Sequence, residues 1–182
     1  IVYKDSAFIK TLSYSQKILG IFDCFMHSVE CYISKKSTEM SKSLSIKSLE
    51  LILKILKDVD NIDTTDIMKL SEMSGQVENL SSCISLHTLG HAISSLNPSI
   101  IHGESILLIA RRYFQLYRDL ENKEIIELDQ LIHLNSNYNS LDEVIKLFEE
   151  VYYSIDIQKT NKLLSSYFEL SSEDIYMIAK KL

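Results

Sequence analysis

The chain of 182 residues has no tryptophan, one proline and four glycines. An all-β fold, or an α/β fold that binds nucleotides on glycine-rich loops, needs many more tight-turn residues than these. The sequence therefore predicts an all-α fold. With 46% apolar and 24% charged residues, the chain has the composition of a folded globular protein and not of a disordered tail.

Long apolar runs and excess basic charge are also lacking. One of the longest apolar runs covers only residues 106–110, whereas a membrane span needs roughly 18–20 apolar residues. We therefore expect no membrane span. The formal net charge is −6, which argues against nucleic-acid binding, because that binding draws most of its affinity from excess lysine and arginine.

Cysteine is scarce, with only three in the chain. Cys24 and Cys31 are seven residues apart on one predicted helix, about 10 Å along its axis, which is too far for a disulfide bond. A low, odd number of cysteines favours a reducing, intracellular compartment. The chain begins at Ile1 without methionine, and we interpret it as part of a larger protein.

Apolar residues at helical spacing predict a bundle of seven to eight helices and no strand. The first helix is long, broadly apolar and expected to lie centrally in the bundle. The predicted helices cover residues 7–33, 44–59, 64–96, 98–121, 123–134 and 141–155, followed by one from Asp156 to Leu170 and a last one from Ser171. We predict a single domain, 1–182. Its alternative division is a long-helix bundle, 1–121, with a short-helix appendage, 122–182.

Three residues spaced four apart, Cys83, His87 and His91, are the candidate metal ligands, with His102 or Glu104 as additional donors. Histidines at i and i+4 on a helix can bind zinc, and a cysteine one turn earlier is a legitimate ligand. The three side chains would nevertheless fan across about 80° of the helix, which disfavours a common ion. The alternatives are histidines at the rim of a helix crossing, which we favour, and a pH-sensitive contact. We predict no metal and no other cofactor.

Catalytic motifs are missing from the sequence. It has no glycine-flanked serine nucleophile, no glycine-rich phosphate loop and no C-x-x-C motif. Cys24 and Cys31 lie beside the apolar seam of the first helix, which is typical of buried, inert thiols. We therefore predict that the chain is not an enzyme.

All three arginines of the chain lie on one predicted helix, together with aromatic residues. Arginine binds carboxylates and phosphates through two hydrogen bonds, and arginine and tyrosine are enriched at binding hot spots. The candidate site for a partner or an anion is Arg111, Arg112, Gln115, Tyr117 and Arg118. The alternative is that the arginines form salt bridges within the chain, to the acidic helix at 142–150 or to Glu121 and Glu124.

These observations favour a non-enzymatic protein–protein interaction module of a larger protein, which binds another protein through the arginine and tyrosine face. The alternative is a small-molecule or lipid-binding bundle whose arginines hold an anionic head group. A metal-dependent enzyme that uses His87 and His91 is a third reading. A homo-oligomer formed through an exposed stripe of the first helix also stays open.

Overall fold

A computed structural model describes residues 4–155, which form seven α-helices and no strand. The helices are α1 (Tyr14–Ile33), α2 (Glu39–Ile55), α3 (Thr64–Leu80), α4 (Ser85–Leu96), α5 (His102–Asp119), α6 (Lys123–Asn135) and α7 (Leu141–Ile155). The prediction of an all-α fold is confirmed. The helices predicted beyond Asp156 lie outside the described residues. None of the described helices is long and apolar enough to cross a membrane.

Helix α1 is the centre of the bundle, as its broad apolar face predicts. Helices α2 and α3 pack on it and on each other, while α5, α6 and α7 also contact it. Phe22 and Phe25 of α1 are fully buried against Phe148 of α7, with ring centroids 5.0 and 5.7 Å from that of Phe148. Because α1 is enclosed by its own chain, the exposed stripe that was expected to support a homo-oligomer is largely buried.

The first two helices begin elsewhere than predicted because their caps override the apolar pattern. Ser13 and Gln16 form a capping box that starts α1 at Tyr14, so the seven preceding residues are not part of the helix. Thr38 forms the equivalent box with Ser41, and α2 therefore begins inside the segment that was predicted to be a polar loop.

Two chain breaks flank α4, and the sequence predicted only the second of them, after Leu96. The predicted helix 64–96 is interrupted at residues 81–84, where Ser81 has a non-helical backbone and its hydroxyl donates to the carbonyl of Cys31 at 3.2 Å. Helix α5 begins at His102 and not at Pro98, because Asn97 forms a turn by accepting from the amide of Ser99 at 3.2 Å. The breaks place residue 83 in a loop and residue 102 in the first turn of a helix.

Candidate metal centre

Helix α1 carries one polar face on an otherwise apolar surface. Asp23, His27 and Glu30 occupy positions i, i+4 and i+7, which lie within about 60° of one another around a helix. Glu30 is completely buried, and Asp23 and His27 are partly buried. Buried charges are costly unless they are paired or bind an ion, so this face requires partners from other helices.

The N-terminus of α5 supplies one partner through a close helix approach at Gly103. A Cβ atom at this position would lie 3.0 Å from Cβ of Leu19 and 3.1 Å from the carbonyl oxygen of Leu19, so only glycine allows the approach. Leu19 lies one turn before Asp23 on α1. The adjacent His102 is thereby brought to Asp23, with Nε2 at 3.5 Å from Oδ1.

Helix α4 supplies the second partner and is itself held against α5. A Cβ atom on Gly90 would lie 2.8 Å from Cγ1 of Ile106, and the hydroxyl of Ser105 donates to the carbonyl of Gly90 at 2.9 Å. The exposed His91 stacks on His102, with ring centroids 4.1 Å apart. This packing fixes the side of α4 that carries His87.

Four side chains from the three helices meet at one point. His87 Nε2 is 3.4 Å from Asp23 Oδ1, and its ring stacks on that of His27 with centroids 4.3 Å apart. Donor atoms of Asp23, His87 and His102 all lie within 4.8 Å of one another. His27 Nδ1 lies 4.0 Å from the second carboxylate oxygen of Asp23. The arrangement brings one carboxylate and three imidazoles together.

Glu30 fixes the orientation of His87. One carboxylate oxygen of Glu30 accepts from the amide of Leu86 at 2.9 Å, and the other contacts Nδ1 of His87 in a close buried pair. This contact makes Nδ1 the donor toward Glu30 and leaves Nε2 facing Asp23. A carboxylate behind a histidine is the usual device by which proteins set the tautomer of a metal-binding imidazole.

The electrostatics of the centre favour a positive charge. Burial lowers the pKa of His87, but its contacts with Asp23 and Glu30 outweigh burial and raise the pKa to about 9. Burial raises the pKa of Asp23, but the contact with His87 and the charges of His27, His87 and His102 lower it overall. Burial lowers the pKa values of His27 and His102, so these two imidazoles are held as neutral donors.

The residues present fit a divalent metal ion. Asp23 Oδ1, His87 Nε2 and His102 Nδ1 are buried atoms without a hydrogen-bond partner among the described residues. Such atoms cost about 1–3 kcal/mol each when left unpaired, and an ion held by Asp23 Oδ1 and His87 Nε2, which lie 3.4 Å apart, would satisfy both. Two histidines with one carboxylate are the donor set typical of non-haem Fe(II), and His27 is an adjacent fourth donor.

The sequence-based metal candidates have different positions in this centre. His87 lies in it, and His91 stacks on His102. Cys83 lies in the loop before α4, near His27 and His87. Sequence reasoning missed Asp23, His27 and Glu30, although their i, i+4 and i+7 spacing on an otherwise apolar helix was a usable signal.

Two of the three arginines proposed as a binding face form salt bridges within the chain. Arg111 forms salt bridges to Asp142 at 3.4 Å and to Glu149 at 3.2 Å. These are the contacts with the acidic helix at 142–150 that the alternative interpretation predicted. Arg118 binds Asp129 of α6 at 3.1 Å. Arg112 and Gln115 are exposed, Tyr117 is partly buried, and their role as a binding site stays a prediction.

Comparison with known proteins gives consistent matches. The family profile described as "Fe-containing alcohol dehydrogenase family, C-terminal" matches residues 17–181. An iron-containing alcohol dehydrogenase from Thermotoga maritima has a similar fold, with a TM-score of 0.66 and 21% identity, over 80% of this chain and 40% of that one. A comparison with curated protein sequences finds no match.

Two further solved structures share the fold. An archaeal halo-thermophilic alcohol dehydrogenase from a Red Sea brine pool, bound to NZQ, has a TM-score of 0.64 and 18% identity, over 84% of this chain and 41% of that one. Sulfoacetaldehyde reductase from Bifidobacterium kashiwanohense, in complex with NAD+, has a TM-score of 0.68 and 14% identity, over 97% of this chain and 46% of that one. The chain thus spans less than half the length of these three proteins.

These matches overturn the functional predictions made from the sequence. The non-enzymatic interaction module and its lipid-binding alternative are wrong, and so is the prediction that the chain is not an enzyme, because it is a member of an enzyme family. The error arose because the donors lie on three helices that are distant in sequence, and two of them lie on a helix whose apolar pattern dominated its interpretation. The chain belongs to the Fe-containing alcohol dehydrogenase family, of which it carries the C-terminal domain.

Proposed function

We propose that this chain is the metal-binding part of an iron-dependent dehydrogenase, which interconverts an alcohol and the corresponding aldehyde or ketone. The observation that carries the proposal is the convergence of donor atoms from Asp23, His87 and His102, which all lie within 4.8 Å of one another. The family supports iron as the ion. This proposal replaces the earlier expectation that no cofactor is required.

The hydride acceptor is proposed to be a nicotinamide nucleotide, since one protein of similar fold is a reductase in complex with NAD+. A bound divalent iron would supply Lewis-acid polarisation of the substrate oxygen. Asp23, His87 and His102 would hold the ion, with His27 beside them. Glu30 keeps Nε2 of His87 directed toward Asp23.

Proton transfer is proposed to involve His91. Its ring is exposed to solvent on one side and stacks on His102 on the other, with centroids 4.1 Å apart. Oxidation of an alcohol releases the hydroxyl proton, and an imidazole at the edge of the centre can accept that proton and pass it to solvent. His91 therefore needs no direct place among the ion's donors to contribute.

The proposal is tested by anaerobic calorimetric titration of the chain with Fe²⁺. The wild-type chain is expected to bind one ion, and Asp23→Asn and His102→Gln are each expected to lose this binding. The matched controls are Asp119→Asn and His133→Gln, which change the same residue types at exposed positions. Wild-type chain that binds no Fe²⁺, or site variants that bind it as the controls do, would overturn the proposal.

The reaction class has its own readout in the whole dehydrogenase that carries this chain, which is alcohol-dependent reduction of NAD+ followed by the absorbance of the reduced nicotinamide. Activity is expected to disappear after chelation and to return with added Fe²⁺. Asp23→Asn is expected to stay inactive at every concentration of the metal. Activity that survives exhaustive chelation would contradict an iron-dependent reaction.

A homo-oligomer is also proposed, although not through α1. Leu116 and Leu120 at the end of α5 are exposed by 61% and 79%, and they form an apolar surface suited to a second copy. Light scattering during size-exclusion chromatography measures the mass directly. A dimer that Leu116→Glu converts to monomer would support the proposal, and a monomeric wild-type chain would refute it.

A further inference from the structure

A second donor set shares part of the metal centre and contains sulfur. Donor atoms of His27, Cys83 and His87 all lie within 4.8 Å of one another. We propose that these three residues form a thiolate-containing site for Zn²⁺, alternative to the oxygen- and nitrogen-donor set of Asp23, His87 and His102. This inference rests on the proposed function only in that both sets use His87.

The shared histidine makes the two sets mutually exclusive. His87 is exposed by only 6%, and its Nδ1 is occupied by Glu30. Nε2 is therefore its one remaining donor, and this buried atom has no hydrogen-bond partner among residues 4–155. A single nitrogen binds a single ion, so the centre holds either the ion chosen by Asp23 and His102 or the ion chosen by Cys83.

His27 and Cys83 are held in place by residues that are not part of the sulfur-containing set. His27 Nδ1 is hydrogen-bonded to the hydroxyl of the buried Ser74 at 2.9 Å, which leaves its other ring nitrogen for an ion. Cys83 lies in the break between α3 and α4, and its sulfur is 4.0 Å from that of the buried Cys31. Ser81 also ties this loop to α1 through the carbonyl of Cys31.

The two sets differ in the softness of their third donor. Carboxylate oxygen suits hard ions and completes the donor set of non-haem iron, whereas thiolate sulfur with imidazole is typical of zinc sites. Binding through sulfur requires the Cys83 thiol to lose its proton to solvent, with no change in oxidation state. Cys83 therefore gives the centre a sulfur donor for zinc in addition to the imidazoles of His27 and His87.

The test uses Co²⁺ as a spectroscopic substitute for zinc in the full chain. Thiolate coordination produces an intense near-ultraviolet charge-transfer band, which oxygen and nitrogen donors do not give. The band is expected in the wild-type chain and in His102→Gln, lost in Cys83→Ser, and retained in Cys31→Ser, the matched control. Added Zn²⁺ is expected to remove it by displacement.

Failure of this inference is distinct from failure of the proposed function. Wild-type chain that binds Co²⁺ without the band, or a band that survives Cys83→Ser, would overturn the thiolate site and leave iron binding by Asp23 and His102 intact. Alkylation of Cys83 by iodoacetamide, followed by mass spectrometry, gives a readout without substitution. Zn²⁺ is expected to protect this thiol and Mg²⁺ is not, and equal alkylation with both ions would also refute the site.

Discussion

Glu30 of α1 and His87 of α4 form a buried pair, although they are 57 residues apart in the sequence. Both carboxylate oxygens of Glu30 are used, one by the imidazole and one by the amide of Leu86 at 2.9 Å. The pair joins the central helix to a helix that holds a proposed metal donor. It therefore links packing of the bundle with the tautomer of His87.

Replacing Glu30 with glutamine is expected to weaken Fe²⁺ binding by about 10- to 100-fold, because a neutral amide no longer fixes the tautomer and basicity of His87. Calorimetric titration of the purified variant measures the change. Glu50→Gln is the control, since Glu50 is exposed on α2. An affinity equal to that of the control would show that Glu30 only fills space.

Stability of the metal-free chain is expected to fall between pH 6.5 and 9. The pKa of His87 is raised to about 9 in the folded chain, against roughly 6.5 when unfolded, so its proton stabilises the fold fully below pH 6.5 and is lost as the pH approaches 9. The contribution is on the order of 3 kcal/mol at most. The lowered pKa values of His27 and His102 change the free energy of unfolding only below pH 6.5.

Urea unfolding of the metal-free wild-type chain and of His87→Gln at pH 6.5 and 8.5 measures this contribution. Ionisation of cysteines in the unfolded state also lowers stability at the alkaline end, but equally in both proteins. The difference in free energy of unfolding between the two proteins is therefore expected to shrink as the pH rises. A constant difference would mean that His87 does not gain a proton on folding.

Gly103→Ala is expected to destabilise the chain by about 1–3 kcal/mol, because the new methyl group would meet the backbone of Leu19, which cannot move aside. Fe²⁺ affinity should fall as well, since His102 is the adjacent residue. Gly75→Ala is the matched control, because nothing lies within 4 Å of its Cβ position. This control should stabilise the chain by about 0.5–1 kcal/mol. Equal effects of the two substitutions would refute the close helix approach.

The two paired arginines are expected to differ in their contributions to stability. Arg118 and Asp129 are exposed by only 22% and 23%, and Asp129 also accepts from the amide of Leu141 at 2.6 Å. Arg118→Ala is expected to cost about 1–2 kcal/mol, because it leaves this carboxylate without its cation. Arg111 is 46% exposed, and Arg111→Ala should cost about 0–1 kcal/mol. Urea unfolding of the two variants measures both losses of stability. A larger loss for Arg111→Ala than for Arg118→Ala would contradict the prediction.

The general architecture could be predicted because each helix has its own local signal. Apolar spacing gave α1 and its central position, and scarcity of glycine and proline excluded sheets. Helix ends were less predictable, since the start of α2 depends on a capping box between Thr38 and Ser41 inside a polar segment. The break at residues 81–84 also escaped prediction, because continuous apolar spacing does not reveal where a helix is interrupted.

The candidate metal centre could be predicted only in part, because its side chains come from three helices. Local spacing pointed to His87, but the fan of side chains from one helix argued against a common ion. That argument considered α4 alone. The further donors come from α1 and α5, and the approach of α5 depends on the contact between Gly103 and Leu19, which no local pattern encodes.

Helix α4 is short, is flanked by two chain breaks and packs chiefly against α5. In the metal-free chain we therefore expect residues 81–101 to open more often than the rest of the bundle and to exchange amide hydrogens sooner. A bound ion joins this segment to α1 and stabilises the closed form in proportion to the free ion concentration. Proteases and chaperones act on such open segments, so metal supply would govern how much of this protein survives.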